Sequence, residues 1–321
     1  MRFARHLLVA AVLAVVGAGA RAADAAPSTV TVAPGQSVAD ALRRVAPGGT
    51  VVLQPGRHRP ATLGPQAWAS TVTLRPAAGA EGRVELGELN LAGVENLTIR
   101  GVRTRGLVTI DGGRRITLES SQPWGVLVKN GASEIDVRAN TITGGWNGVA
   151  VHGYAGMPRA RHVRITDNVI TGQENDNIQI GVAHDVLVRG NVLGETLDNR
   201  HHNDGVQLMG GERVVIERNQ IVGGHDQAIL LKSEPSLGAD SAIVDARIED
   251  NVIHGSRELG VVLLGTTRTT LTRNTIYDTP KPSVVLSGRN VGAVVTDNVY
   301  EDLYLERGAT PPAVMRGNRL R

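Results

Sequence analysis

Three consecutive copies of one repeat read Asn175-Asp176-Asn177-Ile178-Gln179-Ile180, Asn203-Asp204-Gly205-Val206-Gln207-Leu208 and Asp226-Gln227-Ala228-Ile229-Leu230-Leu231-Lys232. Each copy is a polar turn that runs into a short apolar strand. Asn, Asp and Gly favour tight turns, and alternating Val, Ile and Leu favour strands. The stretch from Gly172 to Glu234 therefore predicts a chain that coils, with the strand of each copy beside the strand of the next.

A recurring asparagine extends this pattern along the chain. The motif Val-x-Ile-x-x-Asn-x-Ile, with variants, places it at Asn140, Asn168, Asn191, Asn219, Asn251, Asn274, Asn298 and Asn318. A base period near 23 residues with short alternating strands is typical of a β-solenoid. One asparagine at the same corner of every turn can hydrogen-bond to its neighbours as a ladder.

A short helix is predicted before the repeats begin. Ser37 is a candidate N-cap with Asp40 three residues later, and Pro47-Gly48-Gly49 ends the helical pattern. One apolar stripe is formed by Val38, Ala41, Leu42 and Val45. We expect this helix to cover the first turn, because the strand edges there would otherwise be unpaired.

The repeat resembles the right-handed parallel β-helix of the pectate-lyase-like superfamily, over roughly residues 28–320. The resemblance implies an all-β fold, built as a single right-handed parallel β-helix, with the short N-terminal helix as its cap. The right-handed winding is part of what the resemblance implies.

The first 22 residues read as a secretory signal. Arg2 and Arg5 precede an apolar run from Leu7 to Val16, and Ala20-Arg21-Ala22 offers a small-x-small cleavage site. The run is too short to span a membrane as a helix, and no later stretch is long enough. We therefore expect residues 1–22 to be a signal peptide, residues 23–321 to form one β-helix domain, and the protein to be periplasmic or secreted.

The net charge of +3 belongs to the predicted signal. Removing Arg2, Arg5 and Arg21 lowers the basic residues from 34 to 31, which equals the 31 acidic residues. A neutral mature chain argues against nucleic acid as a partner. The chain has no cysteine, so its stability depends on burial and backbone hydrogen bonds rather than on disulfides.

Loop insertions interrupt the repeat around its central turns. Extra residues follow the leading strand around Gly153–Arg161 and Ser233–Asp240, and precede it around Glu195–His201. Loops on both sides of one strand face would form the walls of a groove, and long loops on a rigid scaffold often carry function.

Acidic and basic side chains concentrate at this groove. Asp176 and Asp204 share one column on adjacent turns when the strands are aligned, and Asp226 follows one turn later. Stacked carboxylates raise one another's pKa, which suits a general acid beside a base. Each residue also has an ordinary interpretation, as a turn former or a surface group. The candidate catalytic residues are Asp204, His202, Asp226, His225, Lys232 and Asp176.

Candidate substrate-binding residues lie along the same groove. Trp124 and Trp146 would be neighbours on its rim, where a flat aromatic face suits a sugar ring; local packing is the alternative. Gln179 and Gln207 lie side by side on the predicted floor and offer amide groups to hydroxyls. The charged candidates are Arg200, Arg257 and Glu258.

A second resemblance concerns chemistry. Asn203-Asp204-Gly205, followed one turn later by Asp226, is similar to the polygalacturonase pattern, which implies Asp204 and Asp226 as the acids of a hydrolase. This chain has Gln227 and Glu258-Leu259-Gly260 where that family has a second Asp and a Gly-His-Gly. Other carbohydrate enzymes on the same scaffold are lyases and C5-epimerases, which remove the proton next to a uronate carboxylate.

The sequence therefore predicts an exported carbohydrate-active enzyme that acts on an acidic, uronate-containing polysaccharide by β-elimination or C5-epimerisation. Two alternatives stay open: a glycoside hydrolase of polygalacturonase type, and a non-catalytic polysaccharide-binding β-helix. We assign no metal site and no certain cofactor, and we leave the use of calcium open. We expect a monomer.

Overall fold

Short parallel strands wind around three faces in this computed structural model, which describes residues 26–153, 156–197, 201–238 and 241–321. The predicted signal at residues 1–22 lies outside the described residues. Each strand pairs in parallel with its counterpart one turn later, so consecutive turns stack along one axis. Val, Ile and Leu at alternate strand positions point inward and fill the interior.

The first face, which we call the groove face, carries the leading strand of each turn. Its strands are Ala61–Leu63, Leu89–Ala92, Leu107–Asp111, Gly125–Lys129, Val149–His152, Ile178–Ile180, Asp204–Leu208, Gln227–Lys232, Leu259–Leu264, Val284–Ser287 and Leu303–Leu305.

The second face is the longest sheet. Its main strands are Thr29–Val32, Thr50–Leu53, Gln66–Pro76, Val94–Arg100, Arg114–Glu119, Ser133–Arg138, Ala160–Thr166, Ala183–Arg189, Val215–Glu217, Arg247–Glu249, Thr270–Thr272, Val294–Thr296 and Val314–Arg316. Three short strands flank this path: Gly211–Glu212, Ile243–Val244 and Thr266–Thr267.

The third face begins as a small sheet of Gly56–His58, Val84–Leu86 and Arg103–Thr104. A single bridge from Arg103 to Gln122 prolongs it. It continues as Thr141–Thr143, Val169–Thr171, Val192–Leu193, Gln220–Val222, Val252–His254, Thr275–Tyr277, Val299–Tyr300 and Arg319–Leu320.

The leading apolar residues of the groove face form one inward column. Its members pair in register on successive turns and are 0% exposed: Val149, Ile178, Val206, Ile229, Val261 and Val284. Because side chains alternate along a strand, the residues just after them point away from the core. The side chains of Gln179 and Gln207 are thereby directed toward the surface.

The asparagine ladder is also present. The Oδ1 of Asn168 accepts hydrogen bonds from the backbone N–H and the side-chain amide of Asn140, both at 3.0 Å. The same arrangement repeats through Asn191, Asn219, Asn251, Asn274, Asn298 and Asn318. The ladder therefore binds eight successive corners to one another through buried amides.

The predicted cap is a helix at Val38–Arg44, and the Oγ of Ser37 accepts a hydrogen bond from the N–H of Asp40 at 3.1 Å. Within the helix, the side chains of Ala41 and Leu42 are 0% exposed, so this face of the helix covers the first turn. One 3₁₀ helix, Pro235–Leu237, lies in a loop of the groove. Within the described ranges, no helix has the length and apolar character needed to cross a membrane.

Candidate functional site

The corner that leads into the groove face carries most of the predicted site residues. Two positions before each inward leading residue, four consecutive turns hold Asn147, Asp176, Asp204 and Gln227, and the strands they precede or begin pair in register. We call these four residues the acid ladder. Short polar side chains suit this corner because their oxygens can accept hydrogen bonds from backbone N–H groups there.

The first three residues of the acid ladder each accept a hydrogen bond through a side-chain oxygen from the backbone of the next turn. The Oδ1 of Asn147 accepts from the N–H of Asp176 at 3.1 Å, and the Oδ1 of Asp176 accepts from the N–H of Asp204 at 2.8 Å. The Oδ1 of Asp204 in turn accepts from the N–H of Gln227 at 3.2 Å. Asp176 and Asp204 are 0% exposed, so two carboxyl groups lie on adjacent turns away from water.

Burial and neighbouring acidic groups raise the pKa of both carboxyls. Burial raises the pKa of Asp176 to about 7, despite hydrogen bonds from Asp204 and Gln179 that oppose the rise. Burial also raises the pKa of Asp204 well above its usual range, and the charge of Asp176 adds to the effect. The charge of Asp226 raises the pKa of both carboxyls further. Near neutral pH the pair retains a proton that an exposed pair would lose.

The floor of the groove contains Gln179 and Gln207 side by side, as predicted. The Nε2 of Gln179 donates to the Oδ2 of Asp176 at 2.8 Å and to the Oε1 of Gln207 at 3.1 Å. The Nε2 of Gln207 donates to the Oδ2 of Asp204 at 3.2 Å. Each floor amide thus contacts a buried carboxyl from above, and the half-buried Gln207 amide keeps a second N–H hydrogen for a ligand.

His152 is a groove residue that is not among the predicted site residues. Its Nε2 lies 2.9 Å from the Oε1 of Gln179, and burial lowers the pKa of its imidazole. It occupies the same outward row as Lys232, three positions after the leading residue. That shared position is the sequence signal that could have identified it.

His202 is the exposed histidine closest to the acid ladder. Its Nδ1 lies 3.5 Å from the Oδ2 of Asp204, and 51% of its side chain is exposed. Asp204 is completely buried at the other end of this contact. The pair therefore connects a solvent-facing imidazole to a buried carboxyl, which is a geometry suited to proton transfer.

Two walls flank the floor. On one side, Trp146 meets His201 edge to face, with ring centroids 4.6 Å apart. On the other side, the Nη2 of Arg159 donates to the carbonyl of Leu237 at 3.2 Å, so the two long loops that follow leading strands contact each other. Arg200, a predicted substrate-binding residue, lies outside the described residues.

Three of the remaining charged candidates form ion pairs within the protein. The Nε of Arg257 donates to the Oδ1 of Asp226 at 3.3 Å, and both side chains are about a quarter exposed. Glu258 pairs with Lys281 at 2.9 Å. Lys232 ends the strand after that of Gln207 and is exposed.

The turns that carry this site match a known protein family. A protein-family model described as periplasmic copper-binding protein (NosD) matches residues 112–303, which is more than half of the chain and includes the whole acid ladder. This chain belongs to the NosD family. The family is one of right-handed β-helices, so the handedness implied by the resemblance is confirmed. No curated protein sequence gives a significant match.

Solved structures share the fold of this NosD-family chain at low sequence identity. A GH87 α-1,3-glucanase from Streptomyces thermodiastaticus has a TM-score of 0.60 at 15% identity, covering 89% of this chain and 66% of the other. The periplasmic alginate epimerase AlgG has a TM-score of 0.58 at 12% identity, covering 92% and 78%. An alginate lyase from a Paenibacillus species has a TM-score of 0.52 at 14% identity, covering 88% and 99%. These likenesses show a pectate-lyase-like β-helix.

One predicted residue of this NosD-family chain is placed differently from expectation. The sequence predicts that His225 shares a groove-facing column with His202, but the side chain of His225 is 0% exposed and its Nε2 lies 2.7 Å from the Oδ1 of Asn177. Burial lowers the pKa of His225 to about 4. The reason is local: Gly223 and Gly224, both at positive φ, make a tight turn that directs the chain inward, whereas His202 follows a long insertion.

The buried carboxyls also differ from the expected picture. The sequence predicts that Asp176 and Asp204 face the groove, yet the floor amides and their own backbone contacts enclose them. A buried carboxyl can act on a ligand only through a neighbour. In this chain the exposed neighbour of Asp204 is His202, and the half-buried one is Gln207.

Proposed function

We propose that this NosD-family protein is exported and modifies an acidic, uronate-containing polysaccharide by proton transfer at the carbon next to the uronate carboxylate, giving β-elimination or C5-epimerisation. The observation that carries the proposal is the contact between exposed His202 and buried Asp204 beside the amide floor. The alginate epimerase and the alginate lyase among the β-helix neighbours support the substrate class.

In the proposed mechanism His202 is the base. The imidazole Nδ1 faces Asp204, which leaves Nε2 for the proton on C5 of the sugar. Asp204, held by the backbone of the next turn, orients the ring and exchanges a proton with it. The electron pair left by the C5 proton forms a C4–C5 double bond as the glycosidic C4–O bond breaks, and the leaving oxygen takes a proton from water. In epimerisation the C4–O bond stays intact and C5 instead takes a proton from water on the face opposite His202.

Positive charge must offset the carboxylate while C5 loses its proton. Lys232 is exposed on the turn after Gln207, and Arg257 lies beside Asp226 on the same corner. Gln207 adds an N–H donor from the floor. In this scheme Asp176 keeps a proton in the ladder, and buried His225 stabilises the corner rather than touching the sugar.

Export to the periplasm is part of the proposal. The NosD family is described as periplasmic, and the alginate epimerase AlgG is likewise a periplasmic protein. The predicted signal at residues 1–22 gives the route, and the groove would then meet extracytoplasmic polysaccharide.

The family description also names copper, but the donor groups of the described residues do not fit a copper site. Copper favours cysteine, methionine and histidine ligands. The chain has no cysteine, and the described residues contain no cluster of three or more His, Cys, Asp or Glu side chains that could hold a metal ion. We therefore route no step through copper, and calcium likewise has no assigned site.

The polygalacturonase-type alternative depends on Asp204 and Asp226 as exposed acids. Asp204 is fully enclosed, and Asp226 is held by Arg257 and by the backbone of Asn203. The proton-transfer scheme through His202 fits this burial better. A non-catalytic carbohydrate-binding role is the second alternative, because the acid ladder also serves to cap backbone N–H groups.

A panel of uronate polymers tests the proposal, with a neutral glucan as control. We expect ultraviolet absorbance from an unsaturated product, or C5 exchange with deuterium from heavy water without chain cleavage. Because a general base typically contributes about 10²–10⁴-fold, His202→Ala and Asp204→Asn should each lower the rate at least about 10²-fold.

His162→Ala is the matched control, because His162 is also exposed and lies 3.9 Å from Asp185 on the second face. It should leave the rate unchanged. New reducing ends without absorbance would mean hydrolysis. Binding without turnover would favour the non-catalytic alternative, and full activity in folded His202→Ala would exclude this base.

A further inference from the structure

A second surface of unusual composition lies on the N-terminal turns, away from His202. Three adjoining clefts run across the third face, from its corner with the second face to its corner with the groove face, and share Arg103, Gln122, Arg105 and Glu85 along their boundaries. Together they are lined by six arginines and three glutamates: Arg57, Arg59, Arg75, Arg100, Arg103, Arg105, Glu81, Glu85 and Glu88. We call this surface the arginine corridor.

The positive charge of the arginine corridor is incompletely neutralised. Arg57 and Arg105 share the single carboxylate of Glu85, at 3.2 and 3.5 Å. Arg59 and Arg103 are exposed and make no ion pair with any described residue. Since the mature chain is neutral overall, this excess is a local feature rather than a general one.

Arginines on the second face behave differently. Arg213 donates to both carboxylate oxygens of Asp185, at 2.6 and 3.0 Å, and Arg268 does the same to Asp245 at 2.6 and 2.7 Å. Such bidentate pairs occupy the guanidinium within the protein. Arg59 and Arg103 have no such partner among the described residues, so their N–H groups are available to an anion.

An aromatic face joins the corridor to the groove. Trp124 lines the middle cleft, of about 500 Å³, together with Arg103 and Arg105, and it is 39% exposed. Trp146 lies on the next turn of the same corner and is 46% exposed. The flat indole offers a surface for the C–H face of a sugar, and the two guanidinium groups beside it offer donors for the sugar's carboxylate.

The corridor is remote from the proposed chemistry. Four turns separate Arg105 from His202 along the corner. At about 4.8 Å per turn, the separation along the axis is about 19 Å. A short oligosaccharide over His202 would not reach the arginines, whereas a longer chain lying along the corner would.

We infer that the arginine corridor is a secondary binding site for the carboxylates of an acidic polysaccharide, which holds a distal part of the same chain that passes over His202. The inference rests on the proposed function for the identity of the polymer. Bidentate guanidinium–carboxylate contacts and stacking on Trp124 would supply the affinity, and salt would weaken it.

The test is binding of uronate oligomers of graded length to the full chain, by calorimetry. Arg103→Gln with Arg105→Gln should raise the Kd of long oligomers at least about tenfold, with the Kd of the shortest bound oligomers unchanged. The matched control, Arg289→Gln with Arg307→Gln, removes the same charge from exposed positions on the C-terminal turns and should leave every Kd unchanged.

Outcomes that overturn the inference are distinct from those that overturn the proposed function. Equal affinity of the double variant and the wild type for long oligomers would exclude the corridor while leaving turnover intact. Equally tight binding of single-stranded DNA or of anionic lipid vesicles would make the corridor a general polyanion surface and exclude the uronate assignment. A length-dependent loss of affinity in a protein without turnover would support the corridor and exclude the enzyme.

Discussion

Asp176 combines complete burial with an ionisable group, and the surrounding donors explain why the fold tolerates it. Its two oxygens accept hydrogen bonds from the N–H of Asp204 and from the amides of Gln179 and Asn175. These donors favour the charged form, while burial and the neighbouring acids oppose it. Because the effect of burial is the largest, the folded protein binds a proton at this carboxyl more tightly than the unfolded chain does.

Asp176→Asn should make stability less dependent on pH. The folded-state pKa of Asp176, about 7, exceeds its ordinary value of 3.8, so the folded protein binds this proton more tightly than the unfolded chain does. The contribution of this proton to the free energy of unfolding is fully present below about pH 4 and is lost as the pH rises through about 7. The Tm of the variant relative to wild type should therefore increase by several degrees between pH 4 and pH 8.

Thermal unfolding of both proteins across that pH range measures the effect. The difference at pH 4, where the wild-type carboxyl is neutral, gives the hydrogen-bonding cost of the amide alone. A difference that stays constant from pH 4 to pH 8 would contradict the raised pKa.

The asparagine ladder is the element that holds the turns in register. Each interior asparagine forms hydrogen bonds with backbone and side-chain groups at the corners of neighbouring turns, which would otherwise lack partners. Asn219, for example, donates to the carbonyl of Val188 and to Asn251, and accepts from the backbone and side chain of Asn191. Losing one rung therefore leaves polar groups unpaired on the neighbouring turns.

Asn219→Ala should lower the free energy of unfolding by about 3 kcal/mol, because buried donors and acceptors lose their partners. Asn318→Ala is the comparison, since Asn318 ends the ladder and accepts from Asn298 without a further rung beyond it. Asn318→Ala should lower the free energy of unfolding clearly less than Asn219→Ala does. Urea unfolding of the two variants measures both costs, and equal losses would show that the ladder does not act through its buried rungs.

At the scale of the whole molecule, the coil places one corner of many turns along a single line. Along the corner before the groove face lie Trp124, Trp146, His202 and the Asp226–Arg257 pair, and the arginine corridor adjoins this corner at the N-terminal turns. A linear polymer is the ligand whose shape matches such an arrangement. The three tryptophans allow this path to be tested separately from stability.

Trp124→Ala and Trp146→Ala should each weaken polymer binding by about 1 kcal/mol with little change in Tm, because both indoles are substantially exposed. Trp68→Ala is the control: Trp68 is 4% exposed in the core, so its loss should lower the Tm and leave affinity unchanged. Calorimetric binding and thermal unfolding of the three variants distinguish the roles. Large losses of Tm with intact affinity in the first two would assign them to packing.

Local sequence signals were sufficient to predict the coil, its cap and the register of its strands. The period near 23, the alternating Val, Ile and Leu, and the asparagine at each corner are local signals that repeat, so any one turn predicts its neighbours. The capping of Val38–Arg44 by Ser37 is equally local. The juxtaposition of Gln179 with Gln207 followed directly from that register.

Which polar corner residues reach the groove depends on contacts between turns that the repeat pattern does not contain. His202 and His225 occupy the same position in an alignment of the repeats, but the first is exposed and the second is turned into the core. Asp204 is enclosed, although the alignment places it at the groove. The difference depends on how far a loop carries the chain before the next strand and on which amides fold over the carboxyls. These contacts join residues on different turns, so the side chain's environment, and with it its pKa, is a property of the stack rather than of the repeat.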